Sequence, residues 1–214
     1  MRDIEWHIGI DEVGRGPLAG PVAVGVVLVP ADFDWALVPG VTDSKQLSEG
    51  RRSEIAAAIA ALPEESQLRY AVAMTSARVI DQIGIVPAIQ RALNRGLTRC
   101  TAHRTALHHP LTTPIDWSRV LVKLDGGLRA PEYCCWQETI IKGDAREPVI
   151  GAASIVAKVA RDTYMCRIAK RADYSPYNFA AHKGYGTQAH RTAIATHGLS
   201  PEHRCSYCRN IVML

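Results

Sequence analysis

The chain contains no apolar stretch long enough to cross a bilayer. The longest run, roughly Pro21 to Pro30, falls far short of the ~20 residues a helical span needs. Its N-terminus, MRDIEWHIGIDE, has neither an uninterrupted apolar h-region nor a small-residue cleavage site, so a cytoplasmic protein without membrane association is expected. Neither charge sign is in large excess. The formal balance of +4 is mildly basic, which permits a polyanionic partner but does not demand one. Repeats and low-complexity segments are absent. A disulfide framework is missing too: the six cysteines show no framework spacing, which fits a reducing compartment. Cys205-Ser-Tyr-Cys208, preceded by His203, has the spacing of half a zinc site, yet no second Cys-x-x-Cys exists. Ordinary thiols are therefore expected there.

What is present is ample core. With 214 residues and 47% apolar content, the chain is read as one compact domain carrying a modest extension. Residues 4–11 and 21–29 read as strands, and the second is β-branched and continuously apolar, hence buried on both faces. The Gly- and Pro-rich link between them suits a tight turn and antiparallel pairing. Ser48 is placed to cap a helix whose face carries Ile55, Ile59 and Leu62. Strands follow at 68–74, 120–124 and 138–142, with a helix over 84–99 that is long enough for a parallel crossover. A long helix is expected over 152–171, and a helix near 190–196. The order predicts an α/β fold, a sheet that is antiparallel first and crosses over later, with a C-terminal helical extension. The α/β domain is assigned to residues 1–172 and the extension to 173–214.

Four acids fall at predicted strand ends: Asp11, Glu12, Asp125 and Asp144. Ligand sites of α/β sheets collect at strand ends. Hard cations take a few carboxylates and complete their shell with water and phosphate oxygens. Four acids without a candidate His triad fit two such ions better than one zinc. Neighbouring residues of a regular strand point to opposite faces, so Asp11 and Glu12 can share a site only where the pleat is lost, at the start of the Gly14-Arg15-Gly16 turn.

Cations surround these acids in sequence. Arg15 lies in the turn itself and Lys45 in the polar loop Thr42–Leu47. Ser154, Lys158 and Arg161 fall at i, i+4, i+7 on the long helix. Such a stripe suits a phosphodiester backbone, although a solvated helix face has the same pattern. Tyr185, flanked by glycines in His182-Lys183-Gly184-Tyr185-Gly186-Thr187, could stack on a sugar or base or cover a small core.

Several blocks together resemble one family, the type 2 ribonucleases H, or ribonuclease HII. They are Gly9–Pro21, Asp43–Ser48, Leu124–Gly126, Lys142–Asp144, Ala152–Asp162 and His182–Thr187. The resemblance implies a ribonuclease H-like fold, a central mixed five-stranded sheet flanked by helices. It implies a four-carboxylate site of Asp11, Glu12, Asp125 and Asp144 holding Mg²⁺ or Mn²⁺. It also implies two-metal-ion cleavage of the RNA strand of RNA–DNA hybrids and of ribonucleotides embedded in duplex DNA, leaving 5′-phosphate and 3′-hydroxyl ends. Gly14, Arg15 and Gly16 would read the ribose 2′-hydroxyl, which separates RNA from DNA. Tyr185 would pack on the following sugar, and Lys45, Ser154, Lys158, Arg161 and Lys183 would contact substrate. A monomer is expected. Departures from the family pattern lie at Gly84–Ala88, Gly127–Arg129 and His203–Cys208, and none removes a carboxylate. A ribonuclease HIII would carry an additional N-terminal domain, and the first acid here is already at position 11.

Overall fold

The computed structural model describes residues 3–102 and 114–212. Two strands open the chain, β1 (Trp6–Val13) and β2 (Val22–Pro30). They are followed by helix α1 (Glu49–Ala60), strand β3 (Arg69–Thr75), and helices α2 (Ala77–Ile83) and α3 (Ile85–Thr101). Strands β4 (Val120–Asp125) and β5 (Trp136–Ile140) come next. The chain ends in helices α4 (Gly143–Arg146), α5 (Pro148–Ile168), α6 (Phe179–His182), α7 (Gln188–His197) and α8 (Cys205–Val212).

The strands form one mixed sheet in the order β3-β2-β1-β4-β5. Pairing is antiparallel for β1 with β2 and β2 with β3, and parallel for β1 with β4 and β4 with β5. The five-stranded mixed sheet expected from the sequence is thus observed. β2 sits inside the sheet with eight consecutive buried residues, which explains its unbroken apolar run. One face packs Ile8, Ile10, Val24 and Val26 against Ile89, Leu93 and Leu97 of α3. The other packs Val27 and Val29 against α1 and α5 through Ile55, Ile59, Ile155 and Val156. Of order 2 kcal/mol accompanies each fully buried aliphatic side chain.

Two glycines decide how close α5 comes. A Cβ on Gly9 would stand 2.2 Å from the Val149 carbonyl oxygen, and one on Gly25 2.1 Å from that of Ala153. The backbone of α5 therefore lies directly on β1 and β2, which brings Ser154 beside Asp11. The helix begins at Pro148, a turn earlier than the sequence suggested, with proline in its first turn where the missing N–H costs nothing. Ser48 caps α1 by accepting from the Arg51 N–H. The short helix α2 was not expected from the sequence. The C-terminal helices pack on the body through Ala19, Met165, Tyr174, Tyr177 and Phe179, and through Leu18, Ile194 and Cys208. Among the described residues, no helix is long and apolar enough to cross a membrane.

A candidate active site at the carboxyl ends of the strands

β1 and β4 pair only as far as Ile10 opposite Leu124. Beyond that point β1 continues through Asp11, Glu12 and Val13 without β4 at its side. A gap is left in the sheet there, and Asp125, the last residue of β4, stands across it. The strand stays regular to Val13 and gives way to the Gly14–Gly16 turn where expected, but the loss of the pleat is not what brings the two acids together. Asp11 and Glu12 both reach the cleft because the neighbouring strand has ended. The cleft is lined by Asp11, Glu12, Gly14, Arg15, Gly16, Ser44, Lys45, Asp125, Ser154, Lys158 and Tyr185.

Asp144 is buried beside the cleft, in the first turn of α4. The preceding Gly143 N–H donates to Asp125 Oδ1 at 2.7 Å, tying the two acidic segments together. The Asp144 Oδ2 atom is buried without a hydrogen-bond donor, and the Lys45 ammonium lies 3.5 Å from it. Asp11 Oδ1 accepts the Glu12 N–H at 2.7 Å, and Glu12 faces Arg15 at 3.3 Å. Burial, followed by the charges of Asp125, Glu12 and Asp144, pushes the Asp11 carboxyl up to about 7, against a hydrogen bond from Ser154. Burial also raises Glu12, opposed by Arg15, and raises Asp144, where Asp43 and Asp125 add to the effect and Lys45 opposes it.

The Ser154 hydroxyl has a single proton. If it donates to Asp11, the Ser44 hydroxyl 2.8 Å away must be its donor. Ser44 belongs to the loop already singled out for Lys45, but its contact with a helix residue 110 positions later has no sequence signature.

Like charges gathered in a poorly solvated cleft, with one buried carboxylate oxygen lacking a donor, suit occupation by cations. Among the described residues, no three His, Cys, Asp or Glu side chains converge on one point. The arrangement fits hard cations held by one or two carboxylates each, with water and substrate oxygens completing the shell.

The other expected contacts divide. Lys45, whose side chain is 78% exposed, reaches into the cleft. Lys158 also lines it, although its ammonium bonds Asp162 at 2.9 Å. The Tyr185 ring is exposed, with the Lys158 ammonium 5.7 Å from its centroid.

Two expected contacts lie elsewhere. Arg161 is fully buried and donates to the carbonyls of Pro21, Lys183 and Ala19, at 2.9, 3.0 and 3.1 Å. The i+7 position that put it on the polar stripe also carries it beneath the turn, where it cannot meet a phosphate. Lys183 donates to the Ala180 carbonyl at 2.7 Å and is turned toward Glu49, outside the cleft.

His203 and His190 form a buried pair with their Nε2 atoms 3.0 Å apart. His203 Nδ1 accepts the Ser200 N–H, so its Nε2 carries the proton and donates to His190; His190 Nδ1 then donates to the Tyr185 carbonyl at 2.9 Å. The six cysteines are free, with Cys205 exposed and Cys208 buried, and His203 is spent on this relay.

The Ribonuclease HII family profile matches residues 8–210. The ribonuclease HII of Endomicrobium trichonymphae is 41% identical over 199 residues, covering 93% of this chain and 83% of its own. That of Trichodesmium erythraeum is 38% identical over 200 residues, covering 93% and 85%. Among solved structures, the ribonuclease HII solved in complex with PCNA from Archaeoglobus fulgidus superposes with a TM-score of 0.68 at 24% identity, covering 96% of both chains. A Bst ribonuclease HIII crystallised with Mn²⁺ gives 0.66 at 17% identity, covering 99% of this chain and 70% of that one. Match and fold agree with a carboxylate cleft at the parallel-strand ends: the chain belongs to the ribonuclease HII family, divalent-metal-dependent endonucleases of the ribonuclease H type that hydrolyse RNA–DNA substrates.

Proposed function

We propose that this protein cuts the RNA strand of RNA–DNA hybrids and also cuts at single ribonucleotides embedded in duplex DNA, leaving 5′-phosphate and 3′-hydroxyl ends by two-metal-ion hydrolysis. One observation carries the ribonucleotide reading. Beside Asp11 and Asp125, the cleft is lined by Gly14, Arg15 and Gly16, and the N–H groups of Arg15 and Gly16 have no acceptor among the described residues. Free backbone donors next to a carboxylate cluster suit a 2′-hydroxyl beside a scissile phosphate.

Asp11 and Asp125 are assigned as direct ligands of Mg²⁺ or Mn²⁺, with Glu12 and Asp144 completing the set. Bound there, the ions would lower the pKa of the attacking water and offset charge on the departing oxygen. The chain's own groups do the rest. Ser154, backed by Ser44, orients the Asp11 carboxyl. Lys45 and Lys158 neutralise phosphates, and the Tyr185 ring lies on the sugar that follows the ribonucleotide. A Cβ on Gly16 would meet nothing within 4 Å, so the fold itself does not require glycine there. The open space is left for the sugar. Residues 1–172 act as the catalytic domain, the 173–214 extension supports substrate binding, and the protein works as a monomer.

The test is cleavage of a duplex with one ribonucleotide and of the same all-DNA duplex, with and without Mg²⁺ or Mn²⁺. Metal-dependent cutting of the first alone is expected. Equal cutting of both would refute ribose recognition.

A further inference from the structure

Two guanidinium groups lie fully buried beneath the turn between β1 and β2, those of Arg161 and Arg204. Arg204 comes from the C-terminal extension, and its guanidinium makes four hydrogen bonds to carbonyls of this turn. Its Nη2 bonds the Gly14 oxygen at 2.6 Å and the Gly20 oxygen at 2.9 Å. Nη1 bonds the Arg15 oxygen at 2.9 Å, and Nε the Gly20 oxygen at 3.1 Å. The Tyr207 hydroxyl adds a donor to the Arg15 carbonyl at 3.3 Å, and its ring centroid lies 5.2 Å from the Arg204 guanidinium. Burying a cation against carbonyl dipoles and an aromatic ring, with no ion pair to a carboxylate among the described residues, is costly, so a requirement beyond folding is indicated.

That requirement follows from peptide geometry. A trans peptide is planar, with its C=O and N–H pointing in opposite directions. Drawing the Gly14 carbonyl down onto Arg204 turns the Arg15 N–H outward, and drawing the Arg15 carbonyl down turns the Gly16 N–H outward. These are the two donors without acceptors. Gly14 adopts φ +91°, and a Cβ on it would stand 2.2 Å from Arg161 Nε. The turn is therefore seated on the guanidiniums with no room for a side chain between.

We infer that Arg204 is a positioning residue for sugar selection, holding two peptide planes so that their N–H groups face the ribose. The inference rests on the 2′-hydroxyl reading above. Lysine keeps the charge at position 204 but has no planar fork to hold three carbonyls at once.

The test is the affinity of the metal-free, full-length protein for two duplexes of identical sequence, one with a single ribonucleotide and one all DNA, by fluorescence anisotropy. The wild type is expected to prefer the ribonucleotide duplex. Arg204→Lys should reduce that preference about tenfold, the effect of loosening two neutral hydrogen bonds, with affinity for the all-DNA duplex unchanged. A preference that survives in Arg204→Lys, or an equal loss on both duplexes, would overturn the inference while leaving 2′-hydroxyl recognition intact. No preference in the wild type would overturn both. Should Arg204→Lys fail to fold, Tyr207→Phe removes one donor from the Arg15 carbonyl. It should lower the preference about twofold, and an unchanged preference there would also overturn the inference.

Discussion

Replacing Asp11 with Asn should make the metal-free protein more stable, although it removes a residue assigned to the chemistry. The Asp11 carboxyl is buried and pushed from 3.8 to about 7, first by burial and then by Asp125, Glu12 and Asp144. Its folded-state pKa lies above the unfolded one, so the folded state binds the proton more tightly. The stabilisation is fully present below about pH 4 and is lost as pH rises through about 7. A shift of about three units at 1.36 kcal/mol each puts the cost at ~4 kcal/mol above pH 7, an upper bound before relaxation. Asn cannot ionise, and its carbonyl can still accept the Glu12 N–H. A gain of ~1–3 kcal/mol at pH 8 is expected, or roughly 3–10 °C in Tm for a chain of this size. The assay is thermal unfolding in chelator at pH 5, 6, 7 and 8. The advantage of Asp11→Asn should grow up to pH 7 and then level off, while added Mg²⁺ should raise the wild-type Tm more than that of the variant. A variant no more stable than wild type at pH 8, or an advantage independent of pH, would refute the charge-cluster argument.

Asp125→Asn should keep the fold and lose most turnover in Mg²⁺; wild-type cleavage would remove Asp125 from the site. Lys45→Ala should flatten the slope of log affinity against log salt by about one unit or less. Lys158→Ala should flatten it less, because Asp162 already holds that ammonium at 2.9 Å; titrations at several salt concentrations decide both. Tyr185→Phe should retain much activity, whereas Tyr185→Ala should lose it, more on a single embedded ribonucleotide than on a continuous hybrid. Equal kinetic losses on the two substrates would make Tyr185 a general support. His190 and His203 are each held down to about 4, chiefly by burial. The unfolded chain takes up these protons near pH 6.5, so stability should fall by up to ~3 kcal/mol per proton as pH drops from 6.5 to 4. Urea midpoints for His190→Gln should show a flatter decline, and an unchanged slope would count against the neutral pair.

The sheet, and the presence of acidic residues near its strand ends, were legible because those signals are local. Eight of the nine residues of β2 form an unbroken buried run, Asp125 and Asp144 follow strand patterns, and Ser48 precedes a helical stripe. Strand periodicity, capping chemistry and Gly-rich turns are set by near neighbours in the chain. Helix periodicity also put Ser154, Lys158 and Arg161 on one stripe, and there the local signal misled. Whether a cation on that stripe meets solvent or buried carbonyls depends on what packs over it, and Arg161 is covered by the turn and the C-terminal extension. How Asp11 and Glu12 share a cleft was equally out of reach, since it depends on β4 ending its pairing at Leu124. The inward-facing Arg204 meets a turn some 190 positions before it, the His203–His190–Tyr185 relay closes within the extension itself, and their residue types alone do not distinguish a surface cation or a metal ligand from a buried support. Local pattern alone was enough for the strands, for the family and for the positions of its acidic residues along the chain. Tertiary structure decided which cations face the cleft and which hold its backbone from below, because burial and hydrogen-bond partners are properties of contacts between segments that no local pattern records.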